Sequence, residues 1–520
     1  MESHLKIGAA GSGEAWSLGR RVRQAGGNCR TLRDATYTRR RFKVRILAES
    51  NPAFAKESQM QLDWSLLICD QRFSTSPKHE PSPKEIDGAA HDRSPFELDY
   101  DRVIYSKAFR RLAKKTQVHP MEMNAHIHNR LTHSLEVASL GRSFARRLAK
   151  FLHQRNELPC RCSENCQQAS RQCPQSSDDL THSLMAACLV HDIGNPPFGH
   201  AGEYSIREWS ERHVAEVFSV DWGDQGLKND VQIFEGNAQG FRLAARADVP
   251  SAGYIRATYT TLGAMVKYPW DSSAGQALEQ KKYNFFSSER GIAEAVFGAM
   301  GLWDGERFCR HPMSFLSEAA DDICYRVIDI EDAVEMKILS VDQATELYVK
   351  LLGETVTDEH SKKPLSQLRA KVVGHLLDQF WSVFVSDFDA IMQGQRESDL
   401  KAGVSEVLKK AFADVKAINN LTIFSTEKKI RVEIGAYKIL GSILKALAKA
   451  TRAYAAEQNL DKIPFIARRC LQLASSTEYL KENAQQPYSW WLHEILDYIS
   501  GLTDDHACMV ANAIEGVGRV

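Results

Sequence analysis

The sequence lacks a net charge, with 66 lysines and arginines set against 66 aspartates and glutamates. Nothing in that balance draws the whole chain to nucleic acid, although a local basic patch is compatible with it. Long apolar runs are also missing. Around the most informative motif the longest is "LMAACLV", seven residues, where a bilayer span needs about 20, so no membrane partner is expected. The N-terminus has no charged start followed by an apolar stretch, and the 11 cysteines are scattered and odd in number. A secreted disulfide framework is therefore disfavoured, and a reducing cytoplasm is the expected location. No repeat with a period of 20 to 50 residues is present.

Four cysteines, Cys160, Cys162, Cys166 and Cys173, crowd into "PCRCSENCQQASRQC". Their spacing contains no CxxC pair and the stretch is polar and glutamine-rich, so a loop joining two helices is expected in preference to a zinc knot.

Helical periodicity is what the chain does contain. Proline is sparse, 16 residues in 520, and apolar residues recur at helical spacing in "SLEVASLGRSFARRLAKFL" (134–152) and "IGAYKILGSILKALAKA" (434–450). The expected fold class is all-α. At 520 residues the chain exceeds one ordinary domain, and composition divides it. Residues 1–59 open with nine arginines in the first 50 positions. They read as a basic, disordered arm, with a targeting or nucleic-acid tail, or a start at Met60, as alternatives. Residues 60–94, with "STSPKHEPSPKE", read as linker and lead-in. A polar stretch, "EMKILSVDQ" (335–343), is expected to separate a catalytic domain at 95–340 from a C-terminal helical lobe at 341–520.

The stretch "LVHDIGNPPFGHAGE" (189–203) carries the chemistry. The apolar "DLTHSLMAACLV" before it predicts a buried helix with His191 and Asp192 on its last turn, ended by Gly194 and Pro196-Pro197. Two such side chains can reach a metal ion beside the helix end. After the prolines, His200 and Glu203 share one face of the next helix, a spacing that suits a proton-donating histidine oriented by a carboxylate. A lone His-Asp pair is weak evidence, because a metal site demands more ligands. The chain offers further candidates: Arg130 and His133 lie on one face of another helix, and Asp321, Tyr325 and Asp329 form a stripe along a third. A solvated face is the plain alternative for that stripe.

The order H, then HD, then D resembles the HD superfamily of metal-dependent phosphohydrolases. The longer blocks "SKAFRRLAKKTQV", "RLTHSLEVASLGR", "HDIGNPPFGHAGE", "FEGNAQGFR", "LGAMVKYPW", "KKYNFF" and "EAADDICY" are similar, in order, to bacterial deoxyguanosinetriphosphate triphosphohydrolases. The resemblance is dense over about residues 95–335 and looser beyond, through "RVEIGAYKILGSIL". It implies an HD-type helical core that splits dGTP, or other deoxynucleoside triphosphates, into deoxynucleoside and triphosphate. It implies His133, His191, Asp192 and Asp321 as ligands of a divalent metal ion, Mg or Mn, with His200 as proton donor and Glu203 holding it. Arg130, Lys267, Tyr268 and Lys282 would meet the phosphates, Tyr325 and Asp329 the sugar, and Gln117 and Asn237 are additional pocket groups. The family usually has glycine where Asn284 stands. His119, His126 and His128 fall in a connecting loop, and Trp270 reads as packing. The resemblance also implies a homo-oligomer, hexamers being common, and a single-stranded DNA or nucleotide effector in some members. Two other classes stay open: another HD phosphohydrolase acting on nucleoside monophosphates, cyclic dinucleotides or alarmones, and a catalytically idle nucleotide- or DNA-binding regulator.

Overall fold

Helical spacing of apolar residues is realised along most of the described residues, which are 71% helical, with 22 α-helices and no sheet among them. The computed structural model describes residues 60–73, 93–116, 126–161, 174–213, 225–246, 255–422 and 427–517. The basic stretch 1–59, the run 74–85, and Cys162, Cys166 and Cys173 lie outside the described residues. Nine helices frame the site and its supports, numbered α1 to α9 in chain order.

Helix α1 (Pro95–Tyr105) starts where Ser94 accepts the Glu97 N–H and proline fills the first turn. Helix α2 (Arg130–Gln154) starts with a capping box in which Asn129 accepts from Leu131 and Thr132. Its buried stripe, His133, Val137, Phe144, Leu148 and Leu152, follows the 3.6-residue period. The predicted segment 134–152 thus lies inside α2.

Helix α3 (Pro174–Val190) is buried nearly all round over its second half, from Ser183 to Val190. It is central, packing against α1, α2, α6 (Tyr259–Met265) and α7 (Pro312–Glu335). Gly141 lets α2 approach it closely, since a Cβ there would lie 2.7 Å from Cys188 Sγ. Helix α7 begins at Pro312, with the His311 ring accepting the Met313 N–H. Helices α4 (His200–Arg212) and α5 (Gly236–Ala245) follow α3 in sequence.

Two larger helices come late in the chain. Helix α8 (Glu427–Glu457) contains the predicted segment 434–450 and packs against α4 and against α9 (Tyr488–Ser500). One apolar cluster draws residues from Leu62 to Val415, and a second from Phe198 to Ala511. A buried ionic knot joins α5 to α9. The Arg242 guanidinium, 1% exposed, meets Glu289 at 2.6 Å and Asp497 at 2.8 Å, and Gln239 donates to Asp497 at 2.6 Å. Burial opposes the charge on Arg242, but Asp497 and Glu289 outweigh it and push the guanidinium pKa up. No helix of the described residues is long and apolar enough to cross a membrane.

Candidate active site

The site begins where α3 stops. The helix ends at Val190, so His191 and Asp192 occupy the turn just beyond it rather than its last helical turn. The difference arises because the chain must leave the helix early to pass α5. Gly194 sits against that helix so closely that a Cβ would overlap the backbone of Gly236 and Gly240. The chain then reverses through Phe198 and Gly199, both left-handed at φ 65° and 58°, into α4. The two prolines thereby separate the His191–Asp192 turn from the start of α4, and both border one cavity.

His133 from α2, His191 and Asp192 from the turn, and Asp321 from α7 converge. Ligand atoms of His133, His191 and Asp192 all lie within 4.8 Å of one another. Asp321 Oδ1 is 3.0 Å from His133 Nε2 and 3.5 Å from His191 Nε2. The His191 Nδ1 donates to the Cys188 carbonyl at 2.7 Å, which leaves its Nε2 lone pair facing the carboxylates. An imidazole lone pair and two carboxylates turned toward one centre repel each other unless a cation lies among them, so the donor set fits a divalent metal ion. Burial opposes ionisation of both acids. The Arg130 guanidinium nevertheless holds the Asp192 carboxyl well below its usual range, and the Lys267 ammonium does so for Asp321. Asn195 donates to Asp192 Oδ1 at 2.5 Å, and Arg130 is bonded to its other oxygen.

A second constellation stands across the cavity. His200 Nδ1 is 2.8 Å from Glu203 Oε2, as the spacing predicts. The imidazole side chain is 75% exposed and the carboxylate 4%, so a buried acid presents an open ring. Burial raises the Glu203 pKa, but the hydrogen bond and charge of His200 prevail and hold it at about 2. Lys267 Nζ bonds Asp321 at 2.7 Å. Lys282 Nζ sits 3.0 Å from both oxygens of Glu235, a fully buried carboxylate that also takes Arg207 at 2.9 Å and the Asn237 side chain at 2.6 Å. The Lys282 ammonium is held charged by Glu235 and Glu203 against the effect of burial.

These groups open onto one cavity of about 350 Å³. Arg130, His191, Asp192, His200, Glu203, Asn237, Lys267, Tyr268, Lys282, Asp321 and Tyr325 line it. His133 is buried behind them. Asp329 is buried a turn further along α7 and bonds Tyr325, without lining the cavity itself. Gln117 and His119 lie outside the described residues. His128 is tied to Asp332 at 2.7 Å and to Glu136 at 3.2 Å, away from the metal group. Trp270 packs against the second apolar cluster. A larger cavity of about 640 Å³ backs onto the same Lys267-Tyr268 segment, but no histidine lines it.

Thr116, Phe198, Val432 and Glu433 also line the site and were not expected from the sequence. Val432 and Glu433 belong to α8, at the start of the looser block "RVEIGAYKILGSIL", where no spacing of chemically distinctive residues singles them out. Thr116 carries a faint signal, since it follows the charged run of the "SKAFRRLAKKTQV" block.

An HD domain model matches residues 130–224. The chain is 38% identical over 473 residues to a "Deoxyguanosinetriphosphate triphosphohydrolase-like protein" of Pseudomonas aeruginosa (strain LESB58), covering 88% of this chain and 99% of the relative. A protein of the same name from Synechocystis sp. is 30% identical, covering 88% and 100%. The "Deoxyguanosinetriphosphate triphosphohydrolase" of Yersinia pseudotuberculosis is 28% identical, covering 86% and 97%.

Proposed function

The chain belongs to the HD-domain family of deoxyguanosinetriphosphate triphosphohydrolase-like proteins, and on that premise we propose that it hydrolyses dGTP, or a wider set of deoxynucleoside triphosphates, to deoxynucleoside and triphosphate. The observation that carries the reading is the meeting, in one cavity, of the four-residue metal group with the bonded His200–Glu203 pair.

His133, His191, Asp192 and Asp321 would hold the ion, Mg or Mn. When bound it supplies Lewis-acid polarisation of a phosphoryl oxygen and a nucleophile at neutral pH. The chain's own residues do the rest. Lys267, Lys282 and Arg130 offer three cations to a triphosphate of about four negative charges. Tyr268 adds a phenol at the same wall. With Nδ1 engaged by Glu203, the imidazolium of His200 presents Nε2–H to the cavity and delivers that proton to the departing 5′ oxygen. Glu203 fixes the ring, because its other oxygen is itself fixed by the Gly236 N–H at 2.8 Å. Tyr325 offers a ring face against which a deoxyribose packs and a 2′-hydroxyl clashes, with Asp329 and Asn237 as polar support. Residues 95–340 then form the catalytic domain and 341–520 the associated lobe, in a cytoplasmic homo-oligomer open to a nucleotide or single-stranded DNA effector.

The test is incubation of the purified protein with each deoxynucleoside triphosphate plus Mg or Mn, with products separated by ion exchange. Free triphosphate is expected, and none from His191→Ala. Orthophosphate, pyrophosphate or no product at all would overturn the reading.

A further inference from the structure

Two segments that line the cavity run side by side. Residues 266–272 and 281–287 are joined by a bridge between Asp271 and Phe285, by Asn284 N–H to the Trp270 carbonyl at 3.2 Å, and by the Trp270 indole N–H to the Lys282 carbonyl at 2.7 Å. At their centre stands Asn284, 1% exposed. Its Oδ1 accepts the backbone N–H of Lys267 at 3.0 Å and that of Tyr268 at 2.8 Å. Both partners can only donate, so the atom facing them is the oxygen and the amide orientation is fixed. The Nδ2 is left to face the Asn237 carbonyl, at 3.5 Å. One side chain therefore bonds the backbones of Lys267, Tyr268 and Asn237 while sharing a short segment with Lys282.

We infer that Asn284 is a positioning residue for the polyphosphate end of the substrate, its carboxamide fixing Lys267 and Tyr268 relative to Lys282. The inference rests on the triphosphohydrolase reading above. Its chemical basis is the donor-acceptor count at this position. Glycine or alanine offers no acceptor to the two N–H groups. Aspartate accepts both but cannot donate to Asn237, and it adds a negative charge beside two ammonium groups. Only a short carboxamide satisfies all three backbone groups without altering the charge of a wall that must receive phosphates.

The test compares the wild-type chain, Asn284→Ala and Asn284→Asp, with Ser272→Ala as a control. Ser272 bonds Asp230 in the same strap but touches neither Lys267 nor Tyr268. Hydrogen exchange of the 266–270 amides, followed by mass spectrometry, reads the brace without any ligand. Calorimetry with inorganic tripolyphosphate reads the polyphosphate subsite without turnover, and kcat and KM on dGTP complete the set. The alanine variant is expected to exchange faster at these amides and to bind tripolyphosphate about tenfold more weakly. Its KM should rise by a similar factor and its kcat change less. The aspartate variant should retain the exchange protection, and Ser272→Ala should leave tripolyphosphate affinity within twofold of wild type. Should the alanine variant not fold, Asn284→Ser, whose hydroxyl falls short of both N–H groups, carries the same expectations. Unchanged tripolyphosphate affinity in the variant, an equal loss in Ser272→Ala, or no binding by wild type would each overturn the inference. Wild type that binds tripolyphosphate but releases none from any deoxynucleoside triphosphate would instead sink the reaction assigned above, and exchange and calorimetry would still judge the brace.

Discussion

Glu203 is gripped from two sides: one carboxylate oxygen lies 2.8 Å from His200 Nδ1, and the other accepts the Gly236 N–H at 2.8 Å. The first residue of α5 thus sets the angle of the His200 ring on α4. His200→Ala is expected to lower kcat by about 100- to 10,000-fold. Glu203→Gln, which keeps a hydrogen bond but not the charge, should lower it less while leaving KM nearly unchanged. Steady-state kinetics of both variants on dGTP checks this, and a His200→Ala enzyme with unaltered kcat would remove the histidine from the mechanism.

Chelation should abolish activity, and addition of Mn or Mg should restore it. Elemental analysis of the reloaded protein is expected to give one divalent ion per chain, and far less for Asp192→Ala or Asp321→Ala. Each of these variants also leaves a cation without its partner, the buried Arg130 or the half-buried Lys267, which costs stability independently of the ion. The metal content must therefore be read on soluble, folded protein.

Acid should destabilise the chain partly through one histidine remote from the site. His311 is fully buried, and that burial lowers its pKa to about 4 from 6.5, against a weaker opposing hydrogen bond to the Leu67 carbonyl. Between those values the unfolded chain binds a proton that the folded chain refuses. Stability from this group is thus fully present above pH 6.5 and is lost as pH falls toward 4. The loss amounts to about 3 kcal/mol by linkage. His311→Asn can still cap α7, so its urea midpoint should fall less steeply than that of the wild type over this window. Parallel slopes would show that another group is responsible.

The crossing of α2 and α3 can be tested by a pair of substitutions. Gly141→Ala gains helix propensity worth about 1 kcal/mol, yet its methyl meets Cys188 Sγ, so a net loss of about 1 to 2 kcal/mol is expected. Adding Cys188→Ala removes the obstacle. A double-mutant cycle by chemical denaturation should show the second change costing less in the presence of the first. Additive losses would mean that the helices have room to spare.

The helices were legible because their apolar spacing is local: α2 and α7 carry apolar stripes, and the buried second half of α3 packs against both. The site was legible for a related reason. His133, His191, Asp192, His200, Glu203 and Asp321 each sit in a short block whose residue types and spacing have a chemical meaning, and the fold brings them together. What escaped were contacts between distant segments. Val432 and Glu433 reach the cavity from α8, and Arg242 meets Asp497 across 255 positions. Neither contact bears a spacing signature, because a contact between distant segments is defined by the fold and not by its neighbours in the chain. Asn284 stood out only as a departure from the usual glycine, and the bonds it makes could not be read from "KKYNFF" itself.

The knot around Arg242 has a practical corollary for anyone who cuts the molecule. A fragment ending near residue 340 would keep His133, His191, Asp192, His200, Glu203 and Asp321, yet it would strip Asp497 and Glu494 from the Arg242 guanidinium, bare the apolar faces that α8 and α9 cover, and remove Val432 and Glu433 from the cavity. Such a fragment would inherit the chemistry without the walls, and the late helices are better regarded as part of the enzyme's interior than as an attachment to it.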